Sequence, residues 1–184
     1  MQLFSANGFK GTSITQIETA AGLTPGAGGI YHHFRTKQQL LAAGVERHMA
    51  RLQALSDIRA LIFGLGDLKA ELTVMARYVL LEMEREQDLI RVLATESRTQ
   101  GELLDDPVER LVGSSYRSFA EWLVESAQLD ETAAQRIATV GFGALISRCL
   151  LSSLGLSAST TLTDDEFVAT WVTMMTATIE DIVA

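Results

Sequence analysis

The chain has 184 residues, 47% of them hydrophobic, enough for one sizeable core or for a small module joined to a larger one. A formal net charge of −8 excludes a protein that coats nucleic acid over its whole surface, and a single cysteine, Cys149, excludes a disulfide framework or a cysteine zinc site. No uncharged apolar run reaches eighteen residues and the opening MQLFSANGFKG lacks a basic start and apolar core, so neither a membrane span nor a secretory signal is expected and a cytoplasmic setting fits.

Two prolines and apolar residues recurring three and four apart predict an all-α protein. In chain order, helices are expected at 2–7 (truncated), 13–21, 26–33, 36–53, 58–64, 67–86, 88–98, 107–128, 131–154 and 164–183. Segments 99–106 and 155–163 read as loops. Capping boxes mark several starts: Ser13 with Gln16, Thr36 with Gln39, and Thr163 with Glu166. Asp106 followed by Pro107 and Glu109 reads as another, because proline at the first helical position forfeits no hydrogen bond.

Charge is unevenly spread. Residues 1–53 hold five basic and two acidic side chains, a net +3, and all three histidines. The remainder holds ten basic and twenty-one acidic, a net −11. A small basic end on an acidic body points to one end as the part that meets a polyanion.

Within that end, Ile14, Ile17 and Ala21 share one side of helix 13–21. Gly22 falls where a helix exit favours a left-handed residue. Thr24 and Pro25 can open a second helix that packs through Ala27, Ile30 and Phe34. The sum is a helix-turn-helix. Gly26, Gly28 and Gly29 each cost about 1 kcal/mol against alanine in a helix, so packing must hold this second helix, and its bare outward face suits close approach to a groove. A phosphate-binding loop would need Lys and Ser or Thr after the glycines, where Ile30 and Tyr31 stand. Neighbouring His32 and His33 point about 100° apart on a helix and make a poor metal pair. No metal and no cofactor are expected.

The stretch LFSANGFKGTSITQIETAAGLTPGAGGIYHHFRTKQQLL resembles the DNA-binding domain of the tetracycline-repressor (TetR) family of bacterial transcriptional regulators. The resemblance implies a three-helix DNA-binding domain at 1–41, with helix one truncated, and a helical effector-binding and dimerisation domain at 42–184. Carried over residue by residue, it implies phosphate contacts from Thr12, Ser13 and Lys37. Thr24, Pro25, Gly26, Ala27 and Gly29 would enter the major groove, and Tyr31 and His32 would reach the backbone. Thr24 to Tyr31 is two residues longer than the commonest family pattern, which leaves two starts open for the recognition helix, Thr24 and Ala27. Base readout from this segment is thin, since it has no Arg, Asn or Gln, and Gln16 of the preceding helix joins the DNA-binding set.

In the body, the resemblance implies a cavity for a small effector. Met75, Tyr78, Met83, Tyr116, Phe119 and Trp122 are its candidate walls, with Arg117 and Arg148 as polar anchors. Helices 131–154 and 164–183 are apolar on more than one face, which implies a second partner. Gly141, Ala144, Leu145, Leu151, Val168, Trp171, Val172, Met175 and Ile179 are the candidate dimer interface, in line with the family. The function so read is a homodimeric repressor that binds palindromic double-stranded DNA and is released by a small, largely apolar effector. The alternative, a helical small-molecule-binding protein or enzyme using the same cavity behind a non-functional helix-turn-helix, finds no Ser-His-Asp set, metal cluster or paired-carboxylate motif; the chain is not expected to be an enzyme.

Overall fold

A computed structural model describes residues 1–59, 66–153, 155–156 and 162–184. All regular structure among these residues is helical. Helix α1 (Gln2–Gly11) is broken at Gly8, whose φ of 70° and ψ of 172° lie where essentially only glycine goes. A Cβ there would also stand 3.0 Å from Glu96 Oε1. The break brings the Phe4 and Phe9 rings together, stacked at 6.0 Å.

Helix α2 (Ile14–Ala20) starts on the Ser13–Gln16 capping box, with both reciprocal bonds formed. It ends in a Schellman motif: Gly22 takes φ 71°, and the Leu23 and Gly22 amides bond the Glu18 and Thr19 carbonyls. Helix α3 (Lys37–Arg59) follows, its Gln39 amide bonded to Thr36 Oγ1; here the box is half made, because Gln39 Oε1 accepts from the Arg35 amide instead. The expected helix 58–64 does not begin at 58: residues 58 and 59 close α3, and the rest lies outside the described residues.

The body comprises α4 (Leu68–Arg85), α5 (Gln87–Glu96), α6 (Gly101–Val108), α7 (Ser114–Ala127), α8 (Glu131–Ser153) and α9 (Asp164–Val183). Asp67 caps α4, and the Thr163–Glu166 box caps α9 as the spacing predicts. The helix expected to start at Asp106–Pro107 starts earlier. Residues 101–108, read as mostly loop, are helical, Pro107 sits inside them, and a π-helical turn (Glu109–Gly113) carries the chain into α7. Proline removes one amide from the ladder, and a widened turn at that point lets the helix continue with a bend. The loop read at 155–163 is described only at its two ends.

Two clusters of buried side chains hold the protein. One joins Phe4 and Phe9 to Leu41 and Val45 of α3, to Leu89, Val92 and Leu93 of α5, and to Leu104 of α6. The other lies among α4, α7, α8 and α9, centred on Phe119, Trp122, Phe142 and Trp171. Each such side chain contributes about 1.5–3 kcal/mol on burial.

The second cluster corrects the interface reading. Gly141, Leu145, Val168, Trp171, Val172, Met175 and Ile179 are all buried within the protomer. Trp171 Nε1 donates to the Gly141 carbonyl at 2.8 Å, and a Cβ on Gly141 would stand 2.6 Å from Met175 Sδ. The small residue lets α9 approach α8 of its own chain. Only Ala144 and Leu151 of the candidate set are half-exposed. The outward faces carry Val140, 76% exposed, and Met174, 65% exposed, with Gly143, Ala169 and Ala177 beside them.

Candidate nucleic-acid interface and effector cavity

The helix expected over 26–33 does not form. Thr24 to Ala27 is a β-turn, with the Ala27 amide on the Thr24 carbonyl at 3.2 Å, Pro25 second, and Gly26 third at φ 77°. Proline then glycine in those places is the signature of a type II turn. Gly28 follows at φ 73°, and helical structure resumes only as one 3₁₀ turn, Gly29–His32. Two left-handed glycines in three residues stop an α-helix that was already poor in propensity.

Glu18, buried on α2, fixes the turn: its Oε2 accepts the Gly26 amide at 2.7 Å. Its Oε1 is buried with no partner among the described residues. Ile30 is buried and Phe34 half-buried, so they anchor the segment as expected, whereas Ala27 is exposed rather than inward. Thr24, Pro25, Gly26, Ala27 and His32 are exposed, Tyr31 is 53% exposed, and Gly29 is half-buried. Ser13 and Gln16 lie exposed at the start of α2, on the same end of the protein.

Two residues expected to touch phosphates have work inside the fold. Thr12 is buried, and its Oγ1 lies 2.9 Å from the Leu3 carbonyl and 2.8 Å from the Gly8 carbonyl. Its hydroxyl is not offered to a ligand. Lys37 is half-buried; its Nζ donates to the Phe9 and Thr12 carbonyls at 2.6 and 2.8 Å and lies 4.3 Å from the Phe9 ring centre. It clamps the start of α3 to the α1–α2 junction, with two of its three ammonium protons engaged inside the fold. Lys10, Arg35 and Arg47 are exposed cations of this end among the described residues. Their signal was charge alone, without motif.

A cavity of about 500 Å³ lies in the body, walled by α4, α5, α7 and α8 with Met49 of α3. Of the candidate pocket residues, Tyr78 and Met83 line it. Met75, Phe119 and Trp122 do not: they belong to the packed cluster, where Trp122 Nε1 donates to Glu71 Oε2 at 3.2 Å. Tyr116 and Arg117 border a separate open groove, and Arg117 pairs with Glu109. Arg148 ties α8 to the start of α9 through Asp164 and the Leu162 carbonyl. Sequence reasoning missed Glu82 and Glu86, buried carboxylates on the cavity wall that continue the i, i+4 line from Tyr78.

Helix α5 joins the two sites. Leu89, Ile90 and Leu93 line the cavity, and Leu89, Val92 and Leu93 also pack in the cluster with Phe4 and Phe9. At its N-terminus, Glu86 Oε2 bonds His48 Nδ1 of α3. At its C-terminus, Glu96 Oε1 accepts the Phe9 amide at 2.8 Å.

None of the described helices is long and apolar enough to cross a membrane. No curated protein matches the chain. Residues 1–43, the span from α1 through the turn into the first turns of α3, match the family described as "Bacterial regulatory proteins, tetR family". A capped α2, a glycine exit and an anchored, exposed turn make a helix-turn-helix, and with that match the chain is a DNA-binding regulator whose N-terminal domain belongs to the tetR family.

Proposed function

We propose that the protein is a homodimeric repressor that grips a near-palindromic operator and lets go when a small, largely apolar effector fills the 500 Å³ cavity. The observation that carries this reading is α5, which walls the cavity, is bonded at its C-terminus to Phe9 of the DNA-binding end, and is bonded at its N-terminus to His48 of α3, the helix that leads out of that end. A ligand that favours another position of α5 over this one shifts the DNA-binding end by the same free energy.

At the operator, Ser13, Gln16 and the exposed turn 24–27 meet the duplex, with Tyr31 and His32 toward the backbone and Lys10 and Arg35 supplying charge. The N-terminus of α2 offers unpaired amides to phosphate. Residues 1–41 act as the DNA-binding domain and 42–184 as the effector and dimerisation domain. Two copies join through the outward faces of α8 and α9, at Val140, Gly143, Ala144 and Met174. Two-fold pairing presents two turns to one duplex, hence a near-palindrome with half-sites about one helical turn apart.

Selection of bound duplexes from a random DNA pool tests this. Enrichment of a two-fold symmetric sequence, with affinity falling steeply as salt rises, is expected. A pool that stays unenriched through repeated rounds overturns it.

A further inference from the structure

We propose that the cavity selects a neutral effector, an apolar body carrying a hydroxyl or carbonyl group that Ser97 and Ser118 read; this rests on the cavity being the effector site. Leu89, Ile90 and Leu93 of α5 and Phe142, Ile146 and Leu150 of α8 make its apolar walls. The ionic groups of the wall are engaged within the protein. Glu82 pairs with Arg85, Glu86 bonds His48, and Arg110 pairs with Glu46 and Asp106. An ion entering here would have to break into these contacts and shed its own water. A neutral molecule need do neither.

On a helix, a Ser or Thr hydroxyl can turn back to the carbonyl four residues before it. Thr73, Thr95, Thr139 and Ser153 do so here, and on the cavity wall so does Ser114, which donates to the Arg110 carbonyl. Two serines of the same wall do not. Ser118 of α7 and Ser97, which closes α5, are half-buried, and neither hydroxyl has a partner among the described residues. Each hydroxyl can donate one hydrogen bond and accept others, so either a ligand hydroxyl or a ligand carbonyl satisfies it. A hydrocarbon ligand would displace the water from both and leave them unbonded, a loss that an oxygen-bearing ligand avoids.

The test compares four molecules built on one two-ring frame: naphthalene, 2-naphthol, 2-naphthoate and 2-naphthylmethylammonium, each measured by equilibrium dialysis against the full chain at neutral pH. The neutral hydroxyl compound, 2-naphthol, is expected to bind at least fivefold tighter than naphthalene, with both ions weakest. In the Ser97→Ala/Ser118→Ala double variant this margin is expected to fall to within about twofold, with naphthalene affinity unchanged. Equal binding of naphthalene and 2-naphthol by the wild type, or a margin that survives the double substitution, overturns the serine reading and leaves the cavity as effector site standing. Tightest binding of either ion overturns the preference for a neutral ligand. Binding of none of the four overturns both the preference and the cavity as effector site.

Discussion

Glu96 and Phe9 stand 87 residues apart in the chain, and the Glu96 carboxylate accepts the Phe9 amide at 2.8 Å. That amide is free because Gly8 breaks α1 immediately before it. The Phe9 carbonyl in turn accepts from Lys37. One peptide segment thus links α5, α1 and the start of α3. Glu96→Ala leaves a partly buried amide without an acceptor and is expected to cost about 1–3 kcal/mol. Glu96→Gln keeps an acceptor oxygen and should cost less. Urea unfolding of both variants checks the order; no loss in Glu96→Ala would mean that the contact adds nothing.

The turn at 24–27 should be separable from global stability. A methyl on Gly26 meets nothing within 4 Å, so Gly26→Ala is penalised only through its φ of 77°, by about 1–2 kcal/mol. That strain falls on the exposed turn. Gly26→Ala is expected to lower affinity for a selected operator by at least tenfold while the helical circular dichroism is unchanged. Glu18→Ala, which removes the acceptor for the Gly26 amide, should do the same. Retained operator affinity in both variants would move the DNA contact away from this turn.

The places where sequence and structure part share a cause. The capping boxes at Ser13 and Thr163 were legible because their chemistry is complete within four residues. Pro25 and Pro107 were each read as the first residue of a helix. One is the second residue of a turn, since the glycine after it takes positive φ; the other is inside a helix that widens to accept it. The residue type fixes a local backbone angle in both cases, and the surroundings decide what it starts or interrupts. The stripes of α8 and α9 were legible as buried, but periodicity does not say by what, and their own protomer covers Trp171 and Met175. Glu82 and Glu86 were missed because charge on an amphipathic helix reads as solvent-facing until the neighbouring helices, among them α3 with His48, are in place around it.

The corrected face makes a sharp test of assembly. Val140 and Met174 are exposed in the protomer, so Val140→Asp with Met174→Asp should leave the fold intact. Analytical ultracentrifugation is expected to show a folded monomer with at least hundredfold weaker self-association. Gly141→Ala should act otherwise, on stability, because its methyl presses on Met175 Sδ in the protomer's own core. A double variant that remains a dimer would place the interface elsewhere.

Cys149 is predicted to be inert. Burial, then the nearby Asp164 carboxylate, push its thiol up to about 12, against a smaller opposing effect of Arg148. At pH 8 only roughly one thiol in ten thousand would then be thiolate, the reactive form. Labelling with iodoacetamide should run at least a hundredfold slower in the native protein than in denaturant. Equal rates would mean that the α8 terminus opens freely.

The start of α9 carries a pH dependence of known sign. Thr163 donates its amide and hydroxyl to the exposed Glu166 carboxylate, both at 2.8 Å, and these bonds hold that carboxyl below its ordinary value. A folded-state value lower than the unfolded one stabilises the fold above the unfolded value and is lost as pH falls through the folded one. The melting temperature of the wild type should therefore exceed that of Glu166→Gln at pH 7, and the gap should narrow as pH drops below about 4, the ordinary glutamate range. A gap that does not change with pH would assign the advantage to shape and hydrogen bonding alone, with no part for the charge at the helix N-terminus.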